Sequence, residues 1–426
     1  MAREDLALFG GKKTINKTFK PYNSIGHEEV EAAKKVIESG VLSKFLGCWG
    51  SDFYGGPNVQ EFERKCEEYF KVKHAVTVNS WTSGLEAAIG AIGIEPGDEI
   101  ITTPWTMSAT ATAILQWNAI PIFADIDPDT FNICPKSIEQ NISPYTKAIL
   151  AVDIFGQSAD MDAIMNIANK YEIKVISDSA QSPGAIYHDK YAGTIAHVGG
   201  YSLNYHKHIH TGEGGIIVTD DDDIAERLRL IRNHAEVVVG DKGTKDLRNM
   251  LGHNFRLGEI ECAIGIEQLK KLDLQIKSRQ HIAEKLSSGL RKLQGLQIPV
   301  ILENSSHVYY VYPLILNTNE LPATRDQIHS ALTAEGVPVS KRYQNIHLLP
   351  LYQKKIAYGS QGFPWTSDIC HREINYDKGI CPVAENLNDF SYMGFGACSY
   401  DLDDSDIDLI IQAFKKVWKN LKSLKI

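Results

Sequence analysis

The sequence predicts an α/β fold, with a large domain built on a mainly parallel sheet between helices and a smaller C-terminal α+β domain. Between about residues 73 and 220, short β-branched runs alternate with longer segments of helical period, which is typical of βαβ units. A long helical stretch, 258–289, is followed by a strand-like run, 307–316, and by an amphipathic segment, 403–421. We therefore predict a large domain over 1–270, with an N-terminal arm, and a small domain over 271–426.

The individual elements of the large domain follow from residue type and period. Short runs rich in β-branched residues predict strands, and longer segments with apolar residues at helical spacing predict helices. The predicted strands are 74–78, 99–103, 120–124, 148–154 and 174–177. The predicted helices are 82–94, 108–116 and 161–171. Such alternation predicts a sheet that is covered on both faces.

Composition narrows the class of protein. The 426 residues are 43% hydrophobic and carry a formal net charge of −9, with no basic stripe, so we expect no nucleic-acid partner. No apolar run is long enough to span a membrane, and residues 1–20 lack a secretory apolar segment. The seven cysteines are scattered without a CxxC pair, as expected of reduced thiols. We expect a cytoplasmic protein without a membrane partner.

A lysine beside a glycine-rich turn is the first candidate for chemistry. Lys207 lies between Ser202 and the β-branched run 216–219, and the turn begins five residues after it, at Gly212. Two flanking strands would hold such a lysine at the edge of a pocket, where desolvation lowers the pKa and exposes a neutral amine for Schiff-base formation. Most lysines are solvated surface groups, so this feature needs support from its neighbours.

Two further stretches supply that support. Thr82 and Ser83 follow a predicted strand at the start of a predicted helix, where free backbone N–H groups and hydroxyls can hold a phosphate dianion. The alternative is that they only cap the helix. Asp178 ends an apolar strand, at the edge where open α/β sheets bind ligands, and can pair with a protonated pyridine nitrogen. The alternative for Asp178 is a turn cap. A lysine, a phosphate loop and an acid together predict a pyridoxal phosphate site.

These stretches resemble the DegT/DnrJ/EryC1/StrS family of sugar aminotransferases, which have the fold type I architecture of aspartate aminotransferase. The resemblance runs from about Ile25 to Pro350 and is weaker after that. It implies a large domain with a seven-stranded sheet. The lysine block is similar to the family's Ser-x4-Lys-x4-Gly-Glu-Gly-Gly, and the spacing from Ser202 and from Gly212 both select Lys207. The resemblance therefore implies that Lys207 forms the Schiff base with pyridoxal 5'-phosphate, which cycles through pyridoxamine phosphate.

The same resemblance implies roles for four more residues. Asp178 and Gln181 match the family's Asp-x-x-Gln, in which the acid pairs with the pyridine nitrogen and the amide lies near the ring's phenolic oxygen. Ser202 is implied as a phosphate ligand. Asn254, in a stretch similar to Gly-x-Asn-aromatic-Arg, is implied to reach the phosphate in the partner subunit's site, after an exposed excursion over 240–249. A homodimer with shared active sites follows. The alternative is that Asn254 only caps the helix that begins near Gly258.

Three positions depart from the family pattern. Trp81 stands where a glycine is usual in the phosphate loop. Met107 occupies the place of the aromatic residue that commonly stacks on the cofactor ring, so either its thioether makes that contact or Trp105 does. Asp153 replaces a frequent histidine.

The function implied is transfer of an amino group from L-glutamate or L-glutamine to a keto group of a nucleotide-linked keto-deoxysugar or a related keto-cyclitol. Lys207, once released, would move protons within the site. No metal is expected. A dehydrating branch of the family has histidine in place of the lysine, but here His206 and His208 flank Lys207 without replacing it. A non-catalytic regulator should lack the lysine or the acid, and a dehydrogenase should have a GxGxxG motif after a strand, which is absent.

Overall fold

The large lobe is built on a seven-stranded sheet. The computed structural model describes residues 5–425; residues 1–4 and 426, at the outer ends of the two predicted domains, lie outside the described part. The strand order across the sheet is β1-β9-β8-β5-β4-β2-β3. Its strands are β1 (His74–Val78), β2 (Glu99–Thr102), β3 (Ile120–Phe123), β4 (Thr146–Val152), β5 (Lys174–Asp178), β8 (Val198–Ser202) and β9 (Gly215–Thr219). A hairpin of two short strands, β6 (Ile186–Tyr187) and β7 (Lys190–Tyr191), lies outside this sheet.

All but one of the seven strands run in the same direction. β3, β2, β4, β5 and β8 pair in parallel, and β9 pairs antiparallel with both β8 and β1. The central strands are buried along nearly their whole length, as expected of a sheet that helices cover on both faces. The predicted mainly parallel seven-stranded sheet is therefore confirmed.

Thirteen α-helices are assigned within residues 5–425, and none of them is long and apolar enough to cross a membrane. Their bounds are α1 (His27–Ser39), α2 (Pro57–Phe70), α3 (Trp81–Ala91), α4 (Ala109–Gln116), α5 (Pro135–Asn141), α6 (Met161–Tyr171), α7 (Asp222–Arg232), α8 (Ala235–Lys242), α9 (Glu259–Leu290), α10 (Arg325–Glu335), α11 (Pro350–Gln353), α12 (Pro382–Asn386) and α13 (Asp404–Lys419).

The small lobe is an antiparallel sheet with helices packed on it, in the strand order β10-β11-β13-β12. These strands are β10 (Leu296–Gln297), β11 (Tyr312–Leu316), β12 (Val339–Ser340) and β13 (Tyr392–Phe395). α10 and α13 cover it and bury a separate apolar cluster that includes Ile328, Leu332, Ile410 and Phe414. The α+β architecture predicted for the C-terminal region is confirmed.

The strand predicted over 307–316 is wrong in its first half, because β11 begins only at Tyr312. The backbone of Tyr309 has a φ of +53°, which a strand cannot accommodate. The amides of Val308 and Val311 donate instead to the carbonyls of Gly156 and Phe155 in the large lobe, at 2.7 and 3.1 Å. Residues 307–311 therefore join the two lobes.

Two elements cross between the lobes. α9 is one continuous helix of 32 residues that runs through the predicted boundary at residue 270. Its first half packs on α1 and α2, and its second half on α13. The domain boundary thus stays a prediction.

The second crossing element is the segment 343–386, which we call the strap. It leaves the small lobe, lies over the edge strand β3 and returns as α12. Tyr376 donates its hydroxyl to the carbonyl of Pro121 at 2.7 Å, and Arg372 forms an ion pair with buried Glu99 at 2.5 Å. The strap thereby covers the edge strand of the large sheet, which would otherwise be open to pairing.

Candidate active site

The strand register brings the predicted site residues to one edge of the large sheet. Asp178, the last residue of β5, lies beside Gly200 of β8. Ser202, which ends β8, lies beside Gly215 at the start of β9, and Val78 at the end of β1 pairs with the same glycine. The lysine loop, the acid and the phosphate loop therefore share one edge, as ligand sites of open α/β sheets do.

Lys207 lies in the loop between β8 and β9, and only 7% of it is exposed. Its Nζ is 4.3 Å from the centroid of the Tyr310 ring. Burial lowers the pKa of the Lys207 amine to about 8, and the negative charge of Asp178, together with Cys398, opposes that shift. A much larger fraction of this amine is neutral near neutral pH than of a solvated lysine, which suits a Schiff-base nucleophile.

Asp178 is buried and its carboxylate accepts three hydrogen bonds. The Trp81 indole Nε1 donates to Oδ1 at 2.7 Å, the Ala180 amide donates to the same oxygen at 3.2 Å, and the Thr110 hydroxyl donates to Oδ2 at 2.8 Å. Burial raises the pKa of Asp178, whereas these donors and the Lys207 charge lower it. The carboxylate has the environment of a group that pairs with a cation in a dry site.

The phosphate loop ends at the N-terminus of α3. Ser80 is the N-cap, because its Oγ accepts from the Ser83 amide at 3.1 Å, so the alternative that Thr82 or Ser83 caps this helix is wrong. The Ser83 hydroxyl donates to the side chain of Asn79 at 2.7 Å. The Thr82 hydroxyl has no hydrogen-bond partner among residues 5–425. This hydroxyl and the unsatisfied first-turn amides form a set of donors suited to an anion.

Gln181 links the sheet edge to the strap. Its Oε1 accepts from the Phe155 amide at 2.9 Å, and its Nε2 donates to the Tyr343 hydroxyl at 3.1 Å. The Tyr343 ring stacks on Trp105, with the ring centroids 5.5 Å apart. Tyr343, at the start of the strap, therefore fixes the amide of Gln181.

The two candidates for the stacking residue have opposite environments. Met107 is 59% exposed, whereas Trp105 is fully buried among aromatic residues that include Phe131 and Tyr392. Only Met107 has free surface in the single chain. This difference favours Met107 for a contact with a ligand.

Asn254 is exposed, and the main chain around it lies against the phosphate loop of its own subunit. The Asn79 amide donates to the Phe255 carbonyl at 2.8 Å, and the Asn79 side chain donates to the Asn254 carbonyl at 3.2 Å. The Asn254 Oδ1 accepts from Arg256 at 2.7 Å. The N-cap of α9 is Gly258, without a side-chain cap, so the alternative that Asn254 caps this helix is wrong. The stretch 240–249 is mostly exposed, as predicted, and its first residues form the last turn of α8.

Asp153, which replaces a frequent histidine of the family, is completely buried, and its main-chain amide donates to the Asp178 carbonyl at 3.0 Å. Its carboxylate accepts from the hydroxyls of Ser177 and Ser179 and from the Ala159 amide. Burial raises the pKa of Asp153 to about 6, although these donors oppose the shift. Asp153 thus adds a second titratable acid to the site.

The sequence did not indicate that the Trp81 indole donates a hydrogen bond to Asp178. It also did not indicate that Thr110, Tyr310 and Tyr343 lie at the site. Thr110 carried a detectable signal, because it lies in a predicted helix that starts at the same sheet edge. Tyr310 lies in the segment 307–311 and Tyr343 in the strap, which both connect the lobes, and no local pattern indicates which residues such connections bring to the site.

His206 and His208, which flank Lys207, do not take its place in the site. His208 is buried, and its Nε2 lies 2.7 Å from the Val308 carbonyl; burial lowers the pKa of this imidazole to about 3. His206 is exposed. In the described range 5–425 no group of three or more His, Cys, Asp or Glu side chains could hold a metal ion.

Comparisons with known proteins agree with this geometry. The DegT/DnrJ/EryC1/StrS aminotransferase family matches residues 24–379. The spore coat polysaccharide biosynthesis protein SpsC of Bacillus subtilis is 34% identical over 410 residues, covering 94% of this chain and 97% of that protein. GDP-perosamine synthase of Caulobacter vibrioides is 35% identical over 298 residues, covering 70% of this chain and 79% of that enzyme.

A solved structure shares the fold as well. DesV of S. venezuelae, in complex with a ketimine intermediate, superposes with a TM-score of 0.76 at 27% identity, covering 92% of this chain and 94% of DesV. The lysine, the acid and the helix N-terminus that the sequence resemblance singled out lie at one edge of this sheet. The chain belongs to the DegT/DnrJ/EryC1/StrS aminotransferase family, and it is an aminotransferase.

Proposed function

We propose that this aminotransferase uses pyridoxal phosphate to move an amino group from L-glutamate or L-glutamine to a keto group of a nucleotide-linked keto-deoxysugar or a related keto-cyclitol. The observation that carries the proposal is the buried Lys207 amine at the same sheet edge as the Asp178 carboxylate and the α3 N-terminus. GDP-perosamine synthase, a relative at 35% identity, supports a nucleotide-linked acceptor.

The residues present fit the cofactor. Thr82, with its unpaired hydroxyl, and the first-turn amides of α3 would hold the phosphate, with Ser83 and Ser202 beside them. Asp178 would pair with the pyridine nitrogen, because three donors leave one of its roughly four acceptor positions open. When bound, the cofactor supplies an electron sink for breaking bonds at the carbon that carries the amino group.

The side chains of this chain then have separate tasks. Lys207 Nζ, whose pKa burial lowers to about 8, would condense with the cofactor's aldehyde with loss of water, and would later take up the proton that leaves the α-carbon of the amino donor. Asp178 would keep the ring nitrogen protonated. Gln181, held by Tyr343, lies beside Phe155 and would bind the phenolic oxygen. Met107 would lie on the ring face, where a thioether makes favourable contact.

The acceptor is tested in two half-reactions. The enzyme loaded with pyridoxal phosphate is mixed with glutamate or glutamine, and the keto acid released is measured. The resulting pyridoxamine form is then offered nucleotide-linked keto sugars and, separately, a keto-cyclitol, and amination is followed by mass spectrometry. Turnover with a nucleotide-linked keto sugar is expected. Turnover with the cyclitol alone would move the assignment to that class.

The proposal includes a cytoplasmic homodimer in which Asn254 serves the partner's site. Mixing Lys207→Ala protein with Asn254→Ala protein tests this sharing. Random exchange places both intact residues in one site of each mixed dimer, so about a quarter of the wild-type activity should return. Because the 254–255 main chain lies on its own phosphate loop, the competing outcome is that Asn254 serves its own subunit. In that case the mixture regains nothing despite proven exchange.

A further inference from the structure

Trp81 occupies a space that two glycines leave open. It is the first residue of α3, and only 5% of it is exposed. A Cβ atom on Gly84 would lie 2.7 Å from the indole Cε3, and a Cβ atom on Gly200 of β8 would lie 2.2 Å from Cζ3. Two separate elements therefore lack side chains where the indole ring needs room. The ring has a fitted position, which points its Nε1 at Asp178.

The hydrogen bonds at Asp178 fix the orientation of its carboxylate. Oδ1 is held by the Trp81 indole and the Ala180 amide, and Oδ2 is held by Thr110, whose hydroxyl lies 3.0 Å from that of Thr106. With both oxygens held, the plane of the carboxylate cannot rotate freely. The remaining acceptor position is on Oδ2, so a pyridine N–H has one place to bind.

The charges around Asp178 make its ionised form depend on these donors. Burial and the neighbouring acid Asp153 disfavour the carboxylate, whereas Lys207 favours it; Asp178 and the Tyr343 hydroxyl also interact electrostatically. Among the donors, Trp81 provides the shortest hydrogen bond, and it comes from a neutral group that does not titrate. Loss of the Trp81 hydrogen bond would make the ionised form of the buried Asp178 carboxylate less stable.

We propose that Trp81 is a positioning residue, which holds the Asp178 carboxylate ionised and oriented toward the cofactor's ring nitrogen. This inference rests on the proposed function. It assigns a task to the residue that stands where a glycine is usual in this family. The indole N–H supplies a donor to Asp178 that a glycine at this position would lack.

The test compares Trp81→Phe with the wild type in binding of pyridoxamine phosphate to the apoenzyme. Pyridoxamine phosphate forms no covalent bond with Lys207, so its affinity reports on the non-covalent contacts. Removing one hydrogen bond to a charged group should weaken binding roughly tenfold. The pH below which affinity falls should also move upward, because Asp178 then protonates more readily. Lys207, Asp153 and Tyr343 are present in both proteins, so their titrations do not explain a difference between the two pH profiles.

A deaza analogue, with C–H in place of the ring nitrogen, separates positioning from packing. It cannot use Asp178, so both proteins should bind it equally. Trp117→Phe is the matched control: its indole Nε1 also donates at 2.7 Å, but to the Glu86 carbonyl, and its ring also packs on a glycine, Gly90. This variant should keep the wild-type affinity and pH profile.

Replacing Trp81 by its benzothiophene analogue keeps both rings and removes only the N–H, so it serves if the phenylalanine variant does not fold. Equal affinity and an unmoved pH profile in a folded variant would overturn the inference. An equal loss for the deaza analogue would do so as well, since packing alone would then explain the effect. If the wild type itself binds neither pyridoxal phosphate nor pyridoxamine phosphate, the proposed function fails instead.

Discussion

The sheet edge that carries Lys207 and Asp178 is fixed mainly by strand register, whereas the strap is fixed by side chains that reach across to the large lobe. Asp178 is the last residue of a strand with parallel neighbours on both sides. The strap is attached by contacts such as the Tyr376 hydroxyl, which donates to the Pro121 carbonyl at 2.7 Å, and the Asp125 carboxylate, which accepts from two amides of α12.

The sheet edge and the strap therefore contribute to the active site in different ways. The sheet edge holds buried, titratable groups whose positions cannot change without breaking main-chain hydrogen bonds, so it suits the chemical steps. The strap brings a single hydroxyl, that of Tyr343, to Gln181. Substitutions at the sheet edge should therefore reduce turnover strongly, and substitutions in the strap should reduce it less.

The largest effect is expected for Lys207→Ala. This variant loses both the covalent attachment and the proton carrier, and loss of proton transfer alone costs about 10²–10⁴-fold in rate. It should still fold and bind pyridoxal phosphate. Mass spectrometry after borohydride reduction should find the cofactor fixed to the wild-type protein at Lys207 and not to the variant. The exposed Lys190 provides the control, and its alanine variant should behave as wild type. Full turnover by Lys207→Ala would contradict the assignment.

The second largest effect on turnover is expected for Asp178→Ala. The ring nitrogen loses its anionic partner, and removing a preorganised electrostatic group of this kind costs about 10²–10³-fold in turnover. The variant should also release the cofactor more readily on dialysis. Because the Trp81 indole and the Thr110 hydroxyl lose their acceptor, unfolding should require about 1–3 kcal/mol less. Steady-state kinetics and denaturant unfolding check the two effects, and unchanged kinetics would remove the proposed role.

The third prediction concerns the stability of the apoenzyme. The Lys207 pKa is about 8 in the folded state and near its ordinary value of 10.5 when unfolded, so the unfolded chain binds more protons between these pH values. The contribution of Lys207 to stability therefore rises as pH increases from about 8 to about 10.5. Below pH 8 the buried charge destabilises the fold by about 3 kcal/mol relative to a neutral side chain.

Lys207→Met isolates this contribution. The methionine variant should be the more stable apoprotein at pH 7, and the difference in unfolding free energy should shrink as pH rises above 8. All other titrating groups are common to the two proteins. A difference that stays constant with pH would show that the amine is not desolvated.

The smallest effect is expected in the strap, for Tyr343→Phe. It removes one hydrogen bond between neutral groups, which is worth about 0.5–1.5 kcal/mol, so turnover should fall by roughly threefold to tenfold. Tyr358→Phe removes a hydroxyl of the strap that bonds to the Leu115 carbonyl and should change nothing in the kinetics. A loss at Tyr343 as large as that at Asp178 would break the distinction between the two regions.

The sequence located the parts of the site that local pattern specifies. α6 begins and ends where predicted, because Asp160 caps its N-terminus and the apolar period is regular. Lys207 and Asp178 were found because Asp178 ends an apolar strand and Lys207 lies between two strands, beside a glycine-rich turn. Residues 307–311 were not, because β-branched and aromatic residues there satisfy a strand pattern while their amides bond to a turn in the other lobe. The position of Tyr343 depends on the strap, whose course over β3 has no local signature.

The strap also determines where this enzyme could be recombined with a relative. Its buried side chains, among them Ile346, Tyr352 and Tyr376, belong to the hydrophobic core of the large lobe although they follow the small lobe's first strands in sequence. A chimera that exchanged everything after α9 would thus replace part of the large lobe's core along with the small lobe. Two crossover points, on either side of residues 343–386, would leave that core intact, so an exchange of the small lobe requires two separate grafts.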